Sequence, residues 1–417
     1  MIREHLCGHH PGAGCGSLAD YYVLMIEPSM KLLTDLDCLA PPLTGIGHYT
    51  RELTQRLMHA HSVHEVRAMF HGRFVDTAGV ETLLNHALMP GAAASAGLLT
   101  RLKPLVRELP MARWAWQRVK AQRFAAVSRQ WQPDVYWEPN FILKPAACPA
   151  AVTIYDLSPL ALPELHPASR IALLKQSLIS SVARADRVVT ISRFTAQALE
   201  THLGVASEKV RLVPPAAGAD FHPYSEHEQA ALRERYELPA RFILSVGTLE
   251  PRKNLSRLLS AYERLPDALR ADWPLVCVGA KGWNDAALSA DIERLSARGE
   301  LIRLGYVPQQ DLPCLTAAAG LMAYLSIYEG FGMPVVEAMA CGTPVLTSQG
   351  TVMEEVAEQC AFYADPLSVE SIHAALESAL HDVSARERFT LEGPAMAAKY
   401  CWADSAQVLH DTLAELT

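Results

Sequence analysis

The stretch "SIYEGFGMPVVEAMACGTPVLTS", Ser326 to Ser348, decides how the rest of the chain is read. Its apolar lead-in, "LMAYLS", reads as a buried strand and "IYEGFGM" as a turn. Pro334 then opens a helix, where the N–H that proline lacks would have no partner anyway. The helix "PVVEAMAC" is expected to stop at Gly342, a residue suited to a helix end. Gly330 and Gly332 let backbone approach a ligand closely, and the unpaired N–H groups at the helix start attract an anion. Two glutamates, Glu329 and Glu337, frame that corner. Carboxylates repel phosphate but accept strongly from hydroxyls, so corner and carboxylates together describe a nucleotide sugar. Glu337 facing solvent, with Glu329 capping the turn and the glycines serving only the bend, is the alternative on this stretch alone.

Two further stretches extend the pattern. In "FILSVGTLEPRKNLSRLL" a buried strand at residues 242 to 246 meets Gly247, and Arg252 and Lys253 precede Asn254, a residue type suited to a helix N-cap. Cations at a strand end and a helix start are placed to neutralise a diphosphate; a pair of solvated surface charges is the alternative. In "APPLTGIGHYTRELTQRL" Gly45 and Gly47 stand before a helix, but the third glycine of the dinucleotide fingerprint is missing. This stretch reads either as a glycine loop closing over a phosphate or as a plain tight turn.

Around these stretches, strand candidates such as "MKLLTDL", "AVTIYDL", "RVVTIS", "PLVCVG" and "LIRLG" alternate with helical patterns such as "RIALLKQSLISSVARA". Such alternation argues for an α/β chain of parallel sheets with crossover helices. The chain's 417 residues exceed the size of one hydrophobic core, so two domains are expected. The proline-rich, polar break around residue 220 divides 30–220 from 221–395. Residues 1–29 show no helical or strand period and read as a disordered extension, with Met30 as a natural start. The extension's His5, Cys7, His9, His10 and Cys15 are zinc-capable but fit no standard finger spacing.

A net charge of −8 argues against nucleic acid as a partner. Nine cysteines without an even framework point to a reducing, cytoplasmic compartment. No apolar run approaches the roughly 20 residues of a membrane-spanning helix, and "YYVLMI" is too short for a signal peptide. Residues 101–131 differ from the rest, with eight Lys or Arg against one Glu and Trp114, Trp116, Phe124 and Trp131 interleaved. They form either a helix lying on an anionic membrane surface or a solvated helix whose aromatics face the core.

With "GIGHYT", "VTIYDLSPLALPELHP", "VGTLEPRKN", "GYVPQQDLPCL" and "YEGFGMPVVEAMACGTPV" in this order, the chain from Met30 onward resembles the retaining glycosyltransferases of family 4. The bacterial mannosyltransferase-like members that build O-antigen and exopolysaccharide are closest in look. The resemblance implies the GT-B fold: two Rossmann-like, doubly wound parallel-sheet domains facing a cleft, the first binding the acceptor and the second the nucleotide sugar. A final helix, 396–417, would cross back to the first domain. By the same resemblance Glu337 would bind the ribose hydroxyls, Glu329 would lie near the transferred sugar, and Arg252 and Lys253 would hold the diphosphate. Gly45 and Gly47 would meet that diphosphate from the first domain. Gly247 would stand at the strand end beside the donor, and the backbone at Val307 would face the base. Phe331, Gly332 and Met333 would offer N–H groups.

No metal or other cofactor is implied. A saccharide or lipid-linked saccharide would be the acceptor, and GDP-mannose the first choice of donor, with a UDP-sugar or GDP-rhamnose as alternatives. The chain departs from the family at two places. Tyr155, followed by Asp156, stands where many relatives carry histidine, and a tyrosine with an ordinary pKa of about 10 suits positioning better than base catalysis. His48 stands where relatives often have arginine, which points to a weaker phosphate clamp. A nucleotide-sugar-binding protein without turnover, a dehydrogenase and a phosphorylase are the rival readings.

Overall fold

The computed structural model describes residues 29–41, 43–86, 110–166, 168–279 and 286–417. The zinc-capable residues of the extension lie outside them, as do residues 101–109 of the basic segment and the side chains of Trp114 and Trp116.

Two sheets organise the chain. The first holds β1 (Met30–Asp35), β2 (Val63–Phe70), β3 (Arg73–Val75), β4 (Val135–Glu138), β5 (Ala150–Ile154), β6 (Arg187–Thr190) and β7 (Val210–Leu212). Their spatial order is β3-β2-β1-β4-β5-β6-β7, and only β3 runs antiparallel to its neighbour. The second sheet holds β8 (Ile243–Val246), β9 (Leu275–Val278), β10 (Leu301–Gly305), β11 (Leu321–Tyr324), β12 (Val345–Ser348) and β13 (Phe362–Ala364). It is wholly parallel in the order β10-β9-β8-β11-β12-β13. Central strands such as "VYWE", "AAVTI", "LVCV" and "LMAY" are buried at every position, because helices cover both faces of a parallel sheet.

Strand order reverses between β1 and β4 in one sheet and between β8 and β11 in the other. In open parallel sheets the crevice outside the carboxyl ends of the strands at such a reversal is where ligands bind. The two sheets meet at their carboxyl ends: a Cβ added to Gly330, after β11, would lie 1.9 Å from the carbonyl oxygen of Tyr155, after β5. The final helix, Trp402–Ala414, packs on helix Gly45–Met58 of the first sheet. Trp402 meets Tyr49 edge-on at 5.8 Å, and the Ser405 hydroxyl donates to Pro214 O at 2.6 Å.

Helix Pro110–Trp131 belongs to the basic segment. Phe124 is fully buried with its ring 4.6 Å from that of Tyr136, and the Trp131 indole N–H donates to Glu65 at 3.3 Å. These two aromatics serve the protein interior rather than a lipid-facing stripe. No helix among the described residues is long and apolar enough to cross a membrane.

Candidate active site

The second sheet supplies a charged corner. After β8, Gly247 donates to Val278 O at 2.8 Å with φ at 151°, and the chain then tightens into the turn Pro251–Lys253 before helix Leu255–Tyr262. After β11, residues 325–332 turn back into helix Met333–Ala340. These two turns bring Arg252 Nη1 and Lys253 Nζ each to 2.6 Å from an oxygen of Glu329. Lys253 also donates to the Tyr324 hydroxyl at 2.7 Å, which in turn donates to Glu329 at 3.1 Å. Burial alone would push the Glu329 carboxyl up, but Lys253 and Arg252 hold it at about 2. Burial works against both cations too, and Glu329 more than offsets it.

The sequence suggested an Arg–Lys pair free to meet a diphosphate and a separate Glu329. The structure instead joins the three into one cluster, with Glu250 3.8 Å from Arg252 Nη2 at its edge. Within this cluster Arg252 Nε is buried without a hydrogen-bond partner, as is the hydroxyl of nearby Tyr328. Such orphaned donors mark a place where a ligand oxygen would be welcome.

The glycines and Asn254 do different work from that expected. Gly330 is bare because Tyr155 O occupies the space of its missing side chain. Gly332 is bare because its φ of 102° is one that side-chain-bearing residues rarely adopt, and the Met353 sulfur already fills the space 2.5 Å from where a Cβ would lie. Both absences are filled by protein, not by a ligand. Asn254 precedes its helix in a left-handed conformation with φ at 62° and makes no side-chain cap. Its amide instead donates to Leu325 O at 3.0 Å and Pro366 O at 2.6 Å, tying the cation turn to the end of β11.

Glu337 lies one turn into helix Met333–Ala340, half-buried, with no cation beside it among the described residues. Desolvation pushes its carboxyl from 4.5 to about 7. At the start of the same helix the N–H groups of Phe331, Gly332 and Met333 take no hydrogen bond within the described residues. Val307 is buried in the loop after β10, at the carboxyl edge that also carries Gly247. A crevice at this edge is lined by Gly247, Lys253, Val278 and Tyr324.

The first sheet supplies the facing wall. Gly45 and Gly47 form the first turn of helix Gly45–Met58 rather than a loop before it. A Cβ at Gly45 would meet nothing within 4 Å, whereas one at Gly47 would lie 2.7 Å from Cys38 O. Gly45 therefore faces open space, and Gly47 permits packing. Burial, helped by Arg51, lowers the pKa of His48, which keeps it neutral near pH 7. The Tyr155 side chain is buried, and its hydroxyl donates to Pro139 O at 2.7 Å. That bond turns the hydroxyl into the domain, so the expected positioning of sugar or acceptor by Tyr155 is not what the structure places there. Its backbone carbonyl, not its side chain, reaches the corner. Asp156 accepts from the Ser158 N–H and hydroxyl at 2.9 and 2.7 Å and stands near enough to favour the charged form of Arg252.

Sequence reasoning missed a buried cluster at the β1/β4 reversal. Asp35 and Glu138, the last residues of those strands, both lie 2.9 Å from Lys144 Nζ. Tyr136 donates to Glu138 at 2.5 Å, and burial raises the Glu138 carboxyl to about 7. The available signal was a carboxylate ending each of two apolar runs, "MKLLTD" and "VYWE".

Known proteins share this architecture. Residues 43–220 match Glycosyltransferase Family 4, and residues 229–396 match Glycosyl transferases group 1. The chain is 35% identical over 375 residues to O-antigen chain mannosyltransferase B of Escherichia coli, covering 89% of this chain and 96% of that one. Among solved structures, Anabaena HepE in complex with UDP and glucose superposes with a TM-score of 0.67 at 20% identity, over 93% of this chain and 100% of that one. Sucrose-phosphate synthase from Thermosynechococcus elongatus gives a TM-score of 0.68 at 18% identity, over 93% and 99%. These structural likenesses speak for the fold alone. The chain belongs to the family 4, group 1 glycosyltransferases and has their GT-B fold.

Proposed function

We propose that the enzyme moves a mannosyl residue from GDP-mannose onto a saccharide or lipid-linked saccharide acceptor in cell-surface polysaccharide synthesis, with retention at the anomeric carbon and without a metal. The observation that carries this reading is the corner itself: Arg252 and Lys253 against one Glu329, beside the N–H groups that open helix Met333–Ala340, with Glu337 on that helix. Likeness to the Escherichia coli mannosyltransferase favours mannose over other hexoses.

In this mechanism the bond from the anomeric carbon to the diphosphate oxygen breaks with its electron pair leaving on oxygen. The acceptor oxygen bonds to the same face of that carbon and passes its proton to the departing phosphate. Negative charge grows on the diphosphate, and preorganised cations and N–H groups stabilise it. Arg252 Nε and the N–H groups of Phe331, Gly332 and Met333 are the donors proposed for those oxygens. Glu337, as a carboxylate, accepts from the ribose hydroxyls. Gly45, at a helix start facing open space, approaches the diphosphate from the other sheet, and Val307 lies on the side of the base.

A thermal-shift panel of GDP, GDP-mannose, UDP and UDP-glucose tests the donor, because a ligand that binds only the folded state raises apparent stability. A shift with the GDP compounds that disappears in Glu337→Ala is expected; a shift with UDP compounds alone would replace the donor. Docking of segment 101–131 at the cytoplasmic face of a membrane belongs to the same proposal, supported by exposed Arg123 and Arg129. Unchanged liposome binding after removal of its positive charges would refute it.

A further inference from the structure

Helix Arg193–Leu203 follows β6 on the first sheet, and its start is capped from two sides. Its own Ser192 accepts from Thr195 N at 3.0 Å. The next two N–H groups, of Arg193 and Phe194, are taken by the two carboxylate oxygens of Glu355, at 2.8 and 2.9 Å. Glu355 belongs to the other sheet's domain, on helix Val352–Ala357 after β12. A carboxylate across the first turn of a helix satisfies orphan donors and the helix dipole together, and here it does so between domains.

The same helix start reaches the corner directly. The Ser192 hydroxyl donates to Gly330 O at 2.7 Å, and the Thr195 hydroxyl lies 3.3 Å from both Gly330 O and Tyr155 O. Phe194 meets Tyr328 edge-on at 5.4 Å. Gly330 follows Glu329, which holds Lys253 and Arg252. Met353, two residues before Glu355, packs against Gly332 on the other side of the turn. One short helix thus presses on the turn while its glutamate grips the opposite domain.

We propose that Ser192 and Glu355 are positioning residues of the transfer reaction. They hold the Glu329–Gly330 turn at a fixed distance from the first sheet, so that Arg252 and Lys253 meet the leaving diphosphate in register with an acceptor on the facing wall. Neither residue touches donor or acceptor. The proposal rests on the donor reading above for the place of the diphosphate.

The test uses the full chain with Glu355→Ala, Glu355→Gln, Ser192→Ala and Ser192→Thr. GDP affinity is read by calorimetry, and turnover by GDP release from GDP-mannose with methyl α-mannoside as acceptor probe. Thermal melting reports folding. The donor cations sit on one domain, so GDP affinity should stay within about threefold, while kcat falls about tenfold or more in Glu355→Ala and Ser192→Ala. Ser192→Thr keeps the hydroxyl and should restore kcat to within about threefold, and Glu355→Gln, with one accepting oxygen, should fall between. Unchanged kcat in the folded variants would overturn the proposal, as would a parallel loss of kcat, GDP affinity and melting temperature, which marks a merely structural role. Wild-type binding separates this from the donor reading: a wild type that ignores GDP but binds UDP refutes GDP-mannose, and the same split is then read with the UDP compound.

Discussion

Replacing Glu337 by glutamine should make the protein more stable and less able to bind its donor, with the stability gain growing as pH rises. The carboxyl is held at about 7 against an ordinary 4.5, with desolvation as the cause and no cation to compensate. Between those two values the unfolded chain has already released the proton that the folded chain retains, so stability falls as pH rises through that window. At about 1.4 kcal/mol per pH unit the ceiling is about 3 kcal/mol. Water reaching the half-buried carboxylate brings the realised figure nearer about 2 kcal/mol. Glutamine carries no such cost. Urea unfolding of both proteins at pH 5, 6, 7 and 8 should show a gap below about 1 kcal/mol at pH 5 that widens to about 2 kcal/mol and levels off above pH 7. GDP binding should weaken at least about tenfold in the variant, because a hydrogen bond to a charged acceptor contributes about 1.5–3 kcal/mol. A stability gap that does not vary with pH would mean that Glu337 ionises normally, and the reasoning from desolvation would fail.

Glu329 should behave oppositely. Its carboxyl is held at about 2, so its stabilisation is complete above pH 4.5 and is lost as pH falls toward 2. Glu329→Gln should cost about 3–5 kcal/mol at pH 7 by stranding two buried cations, and should flatten the acid limb of a urea-unfolding series. Tyr155→Phe removes the bond to Pro139 O and should cost about 1 kcal/mol in stability with kcat within about twofold of wild type; a tenfold loss of kcat would put the hydroxyl in the reaction. Gly330→Ala sets a Cβ 1.9 Å from Tyr155 O, a contact no backbone accepts, so melting temperature and turnover should both fall, whereas a silent substitution would show that the domains do not meet there. Turnover with GDP-mannose should be unchanged by EDTA; its loss, with recovery on adding a divalent cation, would refute the metal-free mechanism.

What the sequence disclosed and what it hid divide by the range of the interaction. The alternation of "FILSVG" and "PLVCVG" with helical patterns sufficed for parallel sheets, since a strand covered on both faces must be apolar throughout. Glu329, Arg252 and Lys253 were visible as chemistry-bearing residues at strand ends. Their mutual pairing was not, because it joins Glu329 to residues 76 and 77 positions before it. Gly330 announced a bare backbone, yet only the folded chain shows that Tyr155 O fills the space. Asn254 looked like a cap by residue type, and its left-handed conformation sends the amide elsewhere. Lys144 with Asp35 and Glu138, and Glu355 with the Ser192 helix start, depend on topology that no local pattern carries.

The charge balance of the corner explains why a glutamate stands between two cations that would serve an anion. An Arg and a Lys buried side by side without a counter-ion would repel each other and lose hydration, a cost of several kcal/mol per ion. Glu329 removes that cost while the donor site is empty and fixes both side chains, Lys253 through Tyr324 and Arg252 through Tyr328 O at 2.8 Å. Glu250, 3.8 Å from Arg252 Nη2, offsets the cations further. A diphosphate bound at full strength by two bare cations would be held as tightly in the product as in the transition state, which lowers KM without raising kcat. Under the proposed transfer, cations partly neutralised by Glu329 and Glu250, with Arg252 Nε unpartnered, would instead favour the moment when the leaving oxygen gains charge. Rigid placement matters more than charge count in such a design, because N–H and cation donors stabilise the transition state only where they already point. Under the proposed transfer, that requirement would give the grip of Ser192 and Glu355 on the neighbouring turn its value.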